Sequence, residues 1–348
     1  MLFTSEQVSC GHPDKICDQI SDAIVTDCLK HDKNSRVAVE CLIKGFDITI
    51  AGEISSLHES DYPDLVRCVL AGIGLKQVEA YRVHLQLSKQ SPDISRGVDK
   101  KGAGDQGMMF GYATKETSEM LPIPFVLATS ALKRLKELKD TGLLPDAKAQ
   151  VTYDYKRKRI DTFLISTQHQ PNLSLEEVRR QVISVMYSTA KAYGMNMDFK
   201  VLVNPTGRFV IGSSFADTGV TGRKIIADTY GGTCRHGGGA FSGKDPTKVD
   251  RSGAYMARKI AKDILRAGYA KRCEVQLAYA IGMAEPVSVS VDCFGTSLLP
   301  QSYLVSWIRK HYDLSPSGII SSLKLLDVDY NLVSSYGHFW RAGLPWEQ

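Results

Sequence analysis

The sequence has 348 residues, 43% of them hydrophobic, and a net charge of only +5, which predicts a globular protein and gives no indication of nucleic-acid binding. None of its eight cysteines forms a C-x-x-C pair, which favours reduced core thiols. It shows neither a basic-then-apolar leader nor an apolar run of about 18 residues, so we expect a cytoplasmic protein without a membrane span.

The first part of the chain predicts the order helix, two strands, helix, strand. Apolar residues recur every three or four positions from Asp14 to Leu29, behind Pro13, which is typical of an amphipathic helix. The later elements show either the same spacing or the apolar and polar alternation of strands. They are strands over 36–43 and 47–54, a helix over 62–73 and a strand over 81–87.

The same order recurs twice, the last time incompletely. The second block predicts helices over 125–138 and 175–193 and strands over 149–155, 160–167 and 199–203. The third predicts helices over 251–265 and 303–311 and strands over 273–281 and 287–294. The repeat rests on element order and hydrophobic period, because residue identity between blocks is poor. We therefore predict an α+β fold of three pseudosymmetric units, residues 1–99, 100–210 and 211–348, each a mixed sheet with helices on one face, about a pseudo-threefold axis.

Five segments between the periodic stretches are rich in glycine and charge. Glycine lets the backbone approach a ligand closely, and free peptide N–H groups beside Lys and Arg suit a polyphosphate. Each segment alone is as easily a solvated turn, but five in one chain favour a phosphate site. The segments are GHPDK at 11–15, GAGDQG at 102–107, NPTGRFVIG at 204–212, DTGVTGRK at 217–224 and RHGGGAFSGKDPTKVD at 235–250.

Two of these segments imitate better-known nucleotide motifs. Residues 102–107 satisfy G-x-G-x-x-G, but no apolar strand precedes them, so a dinucleotide-binding fold is not predicted. Residues 238–244 satisfy G-x-x-x-x-G-K, but Asp245 follows where a P-loop needs Ser or Thr. A P-loop ATPase is therefore improbable.

The charged residues near these turns suit a metal-bound triphosphate. A triphosphate carries about four negative charges, which cationic side chains and magnesium must share, while aspartates hold the metal. His12, between Gly11 and Pro13, could donate a hydrogen bond to a leaving oxygen, although a lone histidine is more often structural. The other candidates are Lys15, Lys148, Arg208, Arg223, Lys224, Lys244, Lys248, Asp14, Glu40, Glu53, Asp105, Asp217 and Asp250.

Taken together and in this order, the segments resemble the S-adenosylmethionine synthetases, or methionine adenosyltransferases. The resemblance runs from Phe3 to about Glu347 and is most specific at GGGAFSGKD, residues 237–245, and at GAGDQG with the MMFGYAT that follows it. It implies three pseudosymmetric α+β units and attack of the methionine sulfur on C5′ of ATP, followed by cleavage of the triphosphate to pyrophosphate and phosphate. It also implies two Mg²⁺ per site, K⁺, and active sites between subunits of a dimer of dimers.

The resemblance also implies a role for individual residues. His12, Lys148, Arg223 and Lys244 would be catalytic. Asp14 and Asp250 would bind magnesium, and Glu40 potassium. The residues that bind the substrate methionine would be Glu53, Gln90, Asp105, Asp217 and Lys248. The residues that bind ATP would be His12, Lys15, Asp146, Ala147, Lys148, Arg208, Phe209, Asp217, Arg223, Lys224, Ala240 and Lys244.

Two departures from the family pattern and two rival functions stay open. The stretch before GAGDQG is short here, and Gly45-Phe46 stands where the family commonly has Thr-Gly. A non-catalytic relative that binds ATP without turnover is one rival, and intact His12, Lys244 and Asp250 argue against it. Another ATP-using enzyme is the second, and the absent kinase motifs make it remote.

Overall fold

The computed structural model describes residues 1–89, 102–138 and 140–348, and the predicted helices and strands all occur in the expected order, with further elements between them. The N-terminal elements are β1 (Leu2–Val8), α1 (Pro13–His31), β2 (Arg36–Lys44), β3 (Asp47–Ser55), α2 (Tyr62–Ile73) and β4 (Arg82–Ser88). The central elements are β5 (Gly107–Thr114), α3 (Ile123–Glu137), β6 (Leu143–Asp154), β7 (Arg159–His169), α4 (Leu175–Ala192) and β8 (Lys200–Val203). The last are α5 (Ser213–Ala216), β9 (Gly219–Val220), α6 (Ile225–Asp228), α7 (Val249–Arg266), β10 (Arg272–Tyr279), β11 (Ser288–Asp292), α8 (Gln301–His311) and α9 (Pro316–Ser322).

These strands form three small sheets with the orders β4-β3-β2-β9, β8-β7-β6-β1 and β11-β10-β5. The first two are mixed, since β4 pairs with β3 in parallel and β8 pairs with β7 in parallel. The third is antiparallel. With helices packed on these sheets, the predicted α+β class is confirmed.

The strands exchange between sheets in a cyclic pattern. β1, β5 and β9 each precede one of the long helices α1, α3 and α7, yet each pairs with the first strand of a different sheet. β1 pairs with β6, β5 with β10 and β9 with β2, always antiparallel. Each sheet therefore contains a strand from outside its sequence block, and the three sheets interlock. The sequence analysis did not predict these three strands.

The sheet formed by β2 and β3 fixes which side chains turn outward. Along β2, Val37, Val39, Cys41 and Ile43 are buried and belong to the same core as α1. Because side chains alternate across a strand, Glu40 lies on the opposite, exposed face. Burial of each aliphatic side chain contributes roughly 1.5–3 kcal/mol, so this register strongly favours the outward position of Glu40.

A membrane-crossing helix, long enough and apolar enough, is not found among the residues that the structure describes.

Gly111 lies in β5 where the strand crosses α7. A Cβ added there would overlap the backbone carbonyl of Ala257, which cannot move without displacing α7. We expect Gly111→Ala to lower the free energy of unfolding by about 3 kcal/mol through overpacking. Gly72→Ala, whose Cβ would meet nothing within 4 Å, is the matched control and should be neutral or slightly stabilising. Urea midpoints for both variants check this, and equal midpoints would refute the proposed β5 and α7 packing.

Candidate active site

His12 caps the N-terminus of α1 with its ring. The backbone N–H of Asp14 donates to Nδ1 of His12 at 3.2 Å. Burial, together with the nearby Lys224 ammonium, lowers the pKa of His12 to about 4. The ring is therefore neutral near pH 7, and because Nδ1 accepts a hydrogen bond, the proton sits on Nε2. His12 thus offers a neutral Nε2–H donor.

A stripe of three buried aspartates runs along α1 behind this histidine. Asp14, Asp18 and Asp22 are four residues apart, so they share one face of the helix. Each carboxylate accepts a backbone N–H from a glycine-rich loop at 2.8–3.0 Å. The donors are Val220, Gly222 and Gly243 in that order. Helix α1 thereby positions two loops that carry most of the predicted phosphate ligands. The first loop is residues 217–224 and the second loop is residues 235–250.

The cationic residues of the first loop converge on Asp14. Lys224 Nζ lies 2.5 Å from Oδ2 of Asp14, and Arg223 Nε lies 3.7 Å from Oδ1. Burial acts to raise the pKa of Asp14, but the hydrogen bonds from Lys224 and from the Val220 N–H outweigh it, and the net shift is downward. Asp14 is therefore a carboxylate at neutral pH.

Lys15 does not reach this surface. Its side chain is fully buried, and Nζ lies 2.9 Å from Asp18 and 2.5 Å from Asp228. Burial acts to lower the pKa of Lys15, but the two carboxylates outweigh it and raise the pKa. In this conformation Lys15 neutralises the interior beneath the loops, which differs from the direct ATP contact that the resemblance implied.

Strand β6 brings a further acid and a further cation to the same place. The Ser213 N–H donates to Asp146 at 2.6 Å, and burial raises the pKa of Asp146 to about 6. Lys148 and Asp217 act electrostatically on both His12 and Asp146. Ala147 is buried beside Ser9, whose hydroxyl accepts its N–H. We call His12, Asp14, Asp146, Lys148, Asp217, Arg223 and Lys224 the α1 cluster.

Arg208 and Phe209 follow β8 in the chain, and Phe209 lies against His169 at the end of β7. Phe209 is partly exposed, and its N–H donates to Nε2 of His169, while its carbonyl accepts the His169 N–H at 2.9 Å. Arg208 is exposed. The chain continues from there to Ser213, which contacts Asp146. The segment therefore leads from the end of β7 to the α1 cluster.

A second cluster forms at the start of α7, and we call Asp105, Lys244, Lys248 and Asp250 the α7 cluster. Lys244 Nζ lies 2.6 Å from Asp250, and Lys248 Nζ lies 2.6 Å from the buried Asp245. A Cβ on Gly239 would overlap the Asp250 carboxylate, so glycine is required for this close approach. Asp105 is exposed, two residues before Gly107, which lies against Asp250.

The two glutamates of the prediction lie on the outward face of β2 and β3. Glu53 is directly opposite Ala38, Glu40 is one pair further along on the same face, and both are exposed. Lys244 forms an isolated antiparallel β-bridge with Ala38 on the edge of β2 that faces away from β3. The backbones of Glu53 and Lys244 are therefore about two strand spacings, roughly 10 Å, apart. Gln90 lies outside the described residues.

Contacts between the loops connect the two clusters within one chain. A Cβ on Gly222 would lie 2.6 Å from the Cβ of Ala240, so the first loop touches the second at the predicted ATP residue Ala240. Asp14 and Asp22, which hold the two loops, are two turns apart on α1, about 12 Å. The ion pairs stay separate, with Lys224 on Asp14 and Lys244 on Asp250.

The donor types of the two clusters fit a magnesium ion. Asp14 and Asp250 present carboxylate oxygens, which hard divalent cations prefer. The space at Gly239 is kept open around Asp250, and Asp14 is a carboxylate at neutral pH. Lys224 and Lys244 now share these carboxylates, so a bound cation would compete with the lysines or share the carboxylates with them.

Several positioning residues were missed by the sequence analysis. Nη2 of the fully buried Arg251 donates to both carboxylate oxygens of Asp22 at 2.7 Å, and Asp18 and Asp228 hold Lys15. The available signal was the repeat of Asp14, Asp18 and Asp22 at helical spacing inside a helix with many apolar residues. Ser213, whose N–H contacts Asp146, was also missed, and no spacing pattern in the sequence pointed to it. Its buried hydroxyl has no hydrogen-bond partner.

The charge on Lys224 can be tested through the protonation of His12. We expect Lys224→Met to raise the pKa of His12 above the value of about 4 in the parent chain, because a nearby positive charge is removed while the negative charge of Asp14 remains. The pH midpoint of the His12 titration is measured by NMR on protein labelled at the histidine ring carbons. The signal that is missing from the spectrum of His12→Asn is assigned to His12. Lys259→Met, which removes a cation paired with Asp263, is the control. An unchanged or lower midpoint in Lys224→Met would contradict the described contact.

Comparison with known proteins covers nearly the whole chain. Three family models match it, described as the N-terminal, central and C-terminal domains of S-adenosylmethionine synthetase, over residues 1–92, 100–209 and 211–348. Proteins named S-adenosylmethionine synthase from two strains of Staphylococcus epidermidis are each 48% identical to it over 379 aligned residues, covering 100% of this chain and 95% of the relative. The chain therefore belongs to the S-adenosylmethionine synthetase family, the methionine adenosyltransferases of S-adenosylmethionine biosynthesis.

Proposed function

We propose that this chain transfers the adenosyl group of ATP to L-methionine by direct displacement. The lone pair of the methionine sulfur forms a bond to C5′ while the bond from C5′ to the triphosphate oxygen breaks, and the triphosphate leaves with the electron pair. A thioether is nucleophilic without losing a proton, so no general base is required for this step. The released triphosphate is then hydrolysed to pyrophosphate and phosphate.

His12 is the residue that carries this proposal. A neutral ring with its proton on Nε2 can donate a hydrogen bond to the oxygen between C5′ and the triphosphate, where negative charge develops. A protonated ring would donate too, but burial beside Lys224 disfavours it. The neutral donor at the entrance of α1, surrounded by lysines and arginine, is the observation that supports leaving-group stabilisation.

The remaining charge of the triphosphate falls to the cations of both clusters. Lys148, Arg223 and Lys224 would contact it from the α1 cluster and Lys244 from the α7 cluster. Magnesium ions, two per site and held by Asp14 and Asp250, would supply further charge neutralisation when bound. Asp146, Ala147, Arg208, Phe209, Asp217 and Ala240 would surround the nucleoside, with Phe209 against the adenine. Lys15 would act from beneath, by fixing the loop through Asp18 and Asp228.

The methionine end of the site is assigned to the outward glutamates and their neighbours. Glu53, Asp105, Asp217 and Lys248, together with Gln90, would hold the amino and carboxylate groups of methionine. Glu40, exposed on the same sheet face as Glu53, would serve a potassium ion. This assignment rests on the family resemblance and on the exposure of Glu40, Glu53 and Asp105.

We further propose that the site is completed between two copies of the chain, in a dimer of dimers acting in the cytoplasm. The family resemblance is what supports this; the two clusters have separate ion pairs, and their loops also touch within one chain. A triphosphate bridging the α1 cluster of one copy and the α7 cluster of its neighbour would unite them. Sizing chromatography beside the activity assay tests it, and an active monomer would refute it.

The reaction itself is tested by incubating the chain with ATP, methionine, Mg²⁺ and K⁺. S-adenosylmethionine, pyrophosphate and phosphate as the products support the proposal. ADP or AMP as the nucleotide product would indicate a different ATP-using enzyme. Nucleotide binding without turnover would indicate a regulatory relative that has lost catalysis.

A further inference from the structure

Two histidines and an aspartate meet at the end of α1 that is opposite to His12. Asp27 and His31 are one turn apart on the helix, and His58 comes from the loop between β3 and α2. His58 Nε2 lies 2.8 Å from Oδ2 of Asp27, and His31 Nδ1 lies 3.4 Å from Oδ1. One ligand atom from each residue falls within 4.8 Å of the others. Asp27 is thirteen residues beyond Asp14, about 20 Å along the helix, so this trio is separate from the α1 cluster.

The loop that carries His58 is held in place by backbone and serine contacts, and the Ser60 hydroxyl also donates to Oδ2 of Asp27 at 2.5 Å, the oxygen that faces His58. Asp32 accepts the N–H of Leu57 at 2.9 Å, and the hydroxyls of Ser35 and Ser56 are 2.8 Å apart. Ser56 also accepts the N–H of His58 at 3.1 Å. The backbone on both sides of the trio is therefore fixed before any ligand binds, which reduces the ordering cost of binding.

The spacing of the three side chains fits a tetrahedral metal ion. Ligand bonds of about 2.1 Å place neighbouring ligand atoms of a tetrahedron about 3.4 Å apart. His31 Nδ1 already has this separation from Oδ1 of Asp27, whereas His58 Nε2 lies 2.8 Å from the other oxygen, Oδ2. A turn of the Asp27 carboxylate would have to bring one of its oxygens to about this separation from both nitrogens. The imidazole rings are stacked with centroids 4.0 Å apart, and both turn a nitrogen toward the same carboxylate. The side chains are 25–46% exposed, which leaves room for a water ligand.

We propose that Asp27, His31 and His58 bind one divalent transition-metal ion of the zinc, cobalt or nickel class. Two imidazole nitrogens and one carboxylate oxygen suit these borderline ions, whereas magnesium prefers oxygen ligands alone. In the metal-free chain, His31 Nδ1 lies 2.9 Å from the backbone carbonyl oxygen of Asp27. When the metal binds, Nδ1 gives up this hydrogen bond and coordinates the metal instead. The ion ties the last turn of α1 to the loop before α2.

Cobalt binding to the full-length chain tests the proposal. The titration is run at neutral pH in excess Mg²⁺, which occupies the carboxylate sites, and is followed by the visible absorption of Co²⁺ and by displacement with Zn²⁺. We expect one equivalent per chain, and at least a tenfold loss of affinity in His31→Gln and in His58→Gln. His84→Gln is the matched control, because His84 lies 3.2 Å from Asp47 in a single histidine and carboxylate pair. It should bind cobalt like the parent chain.

Absence of a cobalt site in the parent chain, or equal affinity in His31→Gln, would overturn the proposal. His31 is partly exposed on the last turn of α1, so His31→Gln should fold even if His58→Gln does not. Circular dichroism and adenosyl transfer with Mg²⁺ and K⁺ verify the fold of each variant, and neither should change. As a second readout, Zn²⁺ should raise the thermal midpoint of the parent chain and of His84→Gln, and leave that of His31→Gln unchanged.

Discussion

Replacing Lys244 with alanine is expected to lower kcat for adenosyl transfer by about 100- to 1,000-fold. Lys244 Nζ is 2.6 Å from Asp250 at the start of α7 and is only partly exposed, so its charge is directed at the space beside the glycine-rich loop. In the proposed displacement, negative charge grows there in the transition state as the triphosphate leaves. An ammonium fixed in place stabilises that charge without reorganising, and alanine offers nothing in its place.

The fold should survive this change. The pair of Lys244 and Asp250 is 26% and 24% exposed, and removing one partner at that exposure costs about 1 kcal/mol at most. Lys259→Ala is the matched control, because Lys259 makes a similar 2.9 Å pair with Asp263 on the same helix, remote from the loops. Steady-state rates and urea midpoints for both variants separate catalysis from stability. Near-normal turnover in Lys244→Ala would show that the role assigned to this lysine is wrong.

The sequence predicted the helices well but missed three strands, and no strand pairing was predicted from it. Helices α1, α2, α4 and α7 begin and end within two residues of their predicted bounds, because an amphipathic period extends over many residues. β6 starts at Leu143, six residues before the prediction, where Pro145 and an irregular register conceal the alternation. The exchanged strands β1, β5 and β9 were missed because their partners are distant in sequence and leave no local signal.

Eleven of the predicted site residues form the α1 and α7 clusters, whereas Glu40 and Glu53 lie apart on the outward face of β2 and β3. The loops that carry most of the two clusters were identified from glycine and charge. What the sequence could not show is which charges face outward. Lys15 stands in a motif beside His12 and Asp14, yet helical geometry turns it to Asp18 in the interior. Glycine at 239 was visible as part of a motif, but its reason, the adjacent Asp250 carboxylate, depends on a contact between distant positions.

The buried aspartates explain why α1 tolerates so much charge in its interior. Each of Asp14, Asp18 and Asp22 is paired with a cation and also accepts a backbone N–H from a loop, which offsets the desolvation of the carboxylates. The offset is incomplete at Asp18, where burial still raises the pKa. A hydrophobic helix of the same length would pack as well but could not hold two glycine-rich loops. Positioning of the predicted phosphate ligands therefore depends on the helix interior as well as on the loops.

His12→Asn is expected to reduce adenosyl transfer by about 100-fold or more while keeping α1 intact. Asparagine is a good N-cap, and its side-chain oxygen can accept the Asp14 N–H that Nδ1 of His12 accepts now. The Nε2–H donor is lost, so the oxygen that leaves C5′ has no hydrogen bond from this position. Hydrolysis of added triphosphate breaks a different bond and should be less affected. Parallel rates for the two reactions measure this difference.

His12→Ala separates capping from catalysis. It removes the donor and the cap together, so we expect the same loss of transfer as in His12→Asn and, in addition, a loss of about 1 kcal/mol of stability. If His12→Asn retains normal transfer, the neutral Nε2–H does not act on the leaving oxygen, and the lysines and arginine around it must stabilise the triphosphate unaided. If both variants lose triphosphate hydrolysis as severely as transfer, His12 acts on the whole polyphosphate and the specific contact at C5′ is excluded.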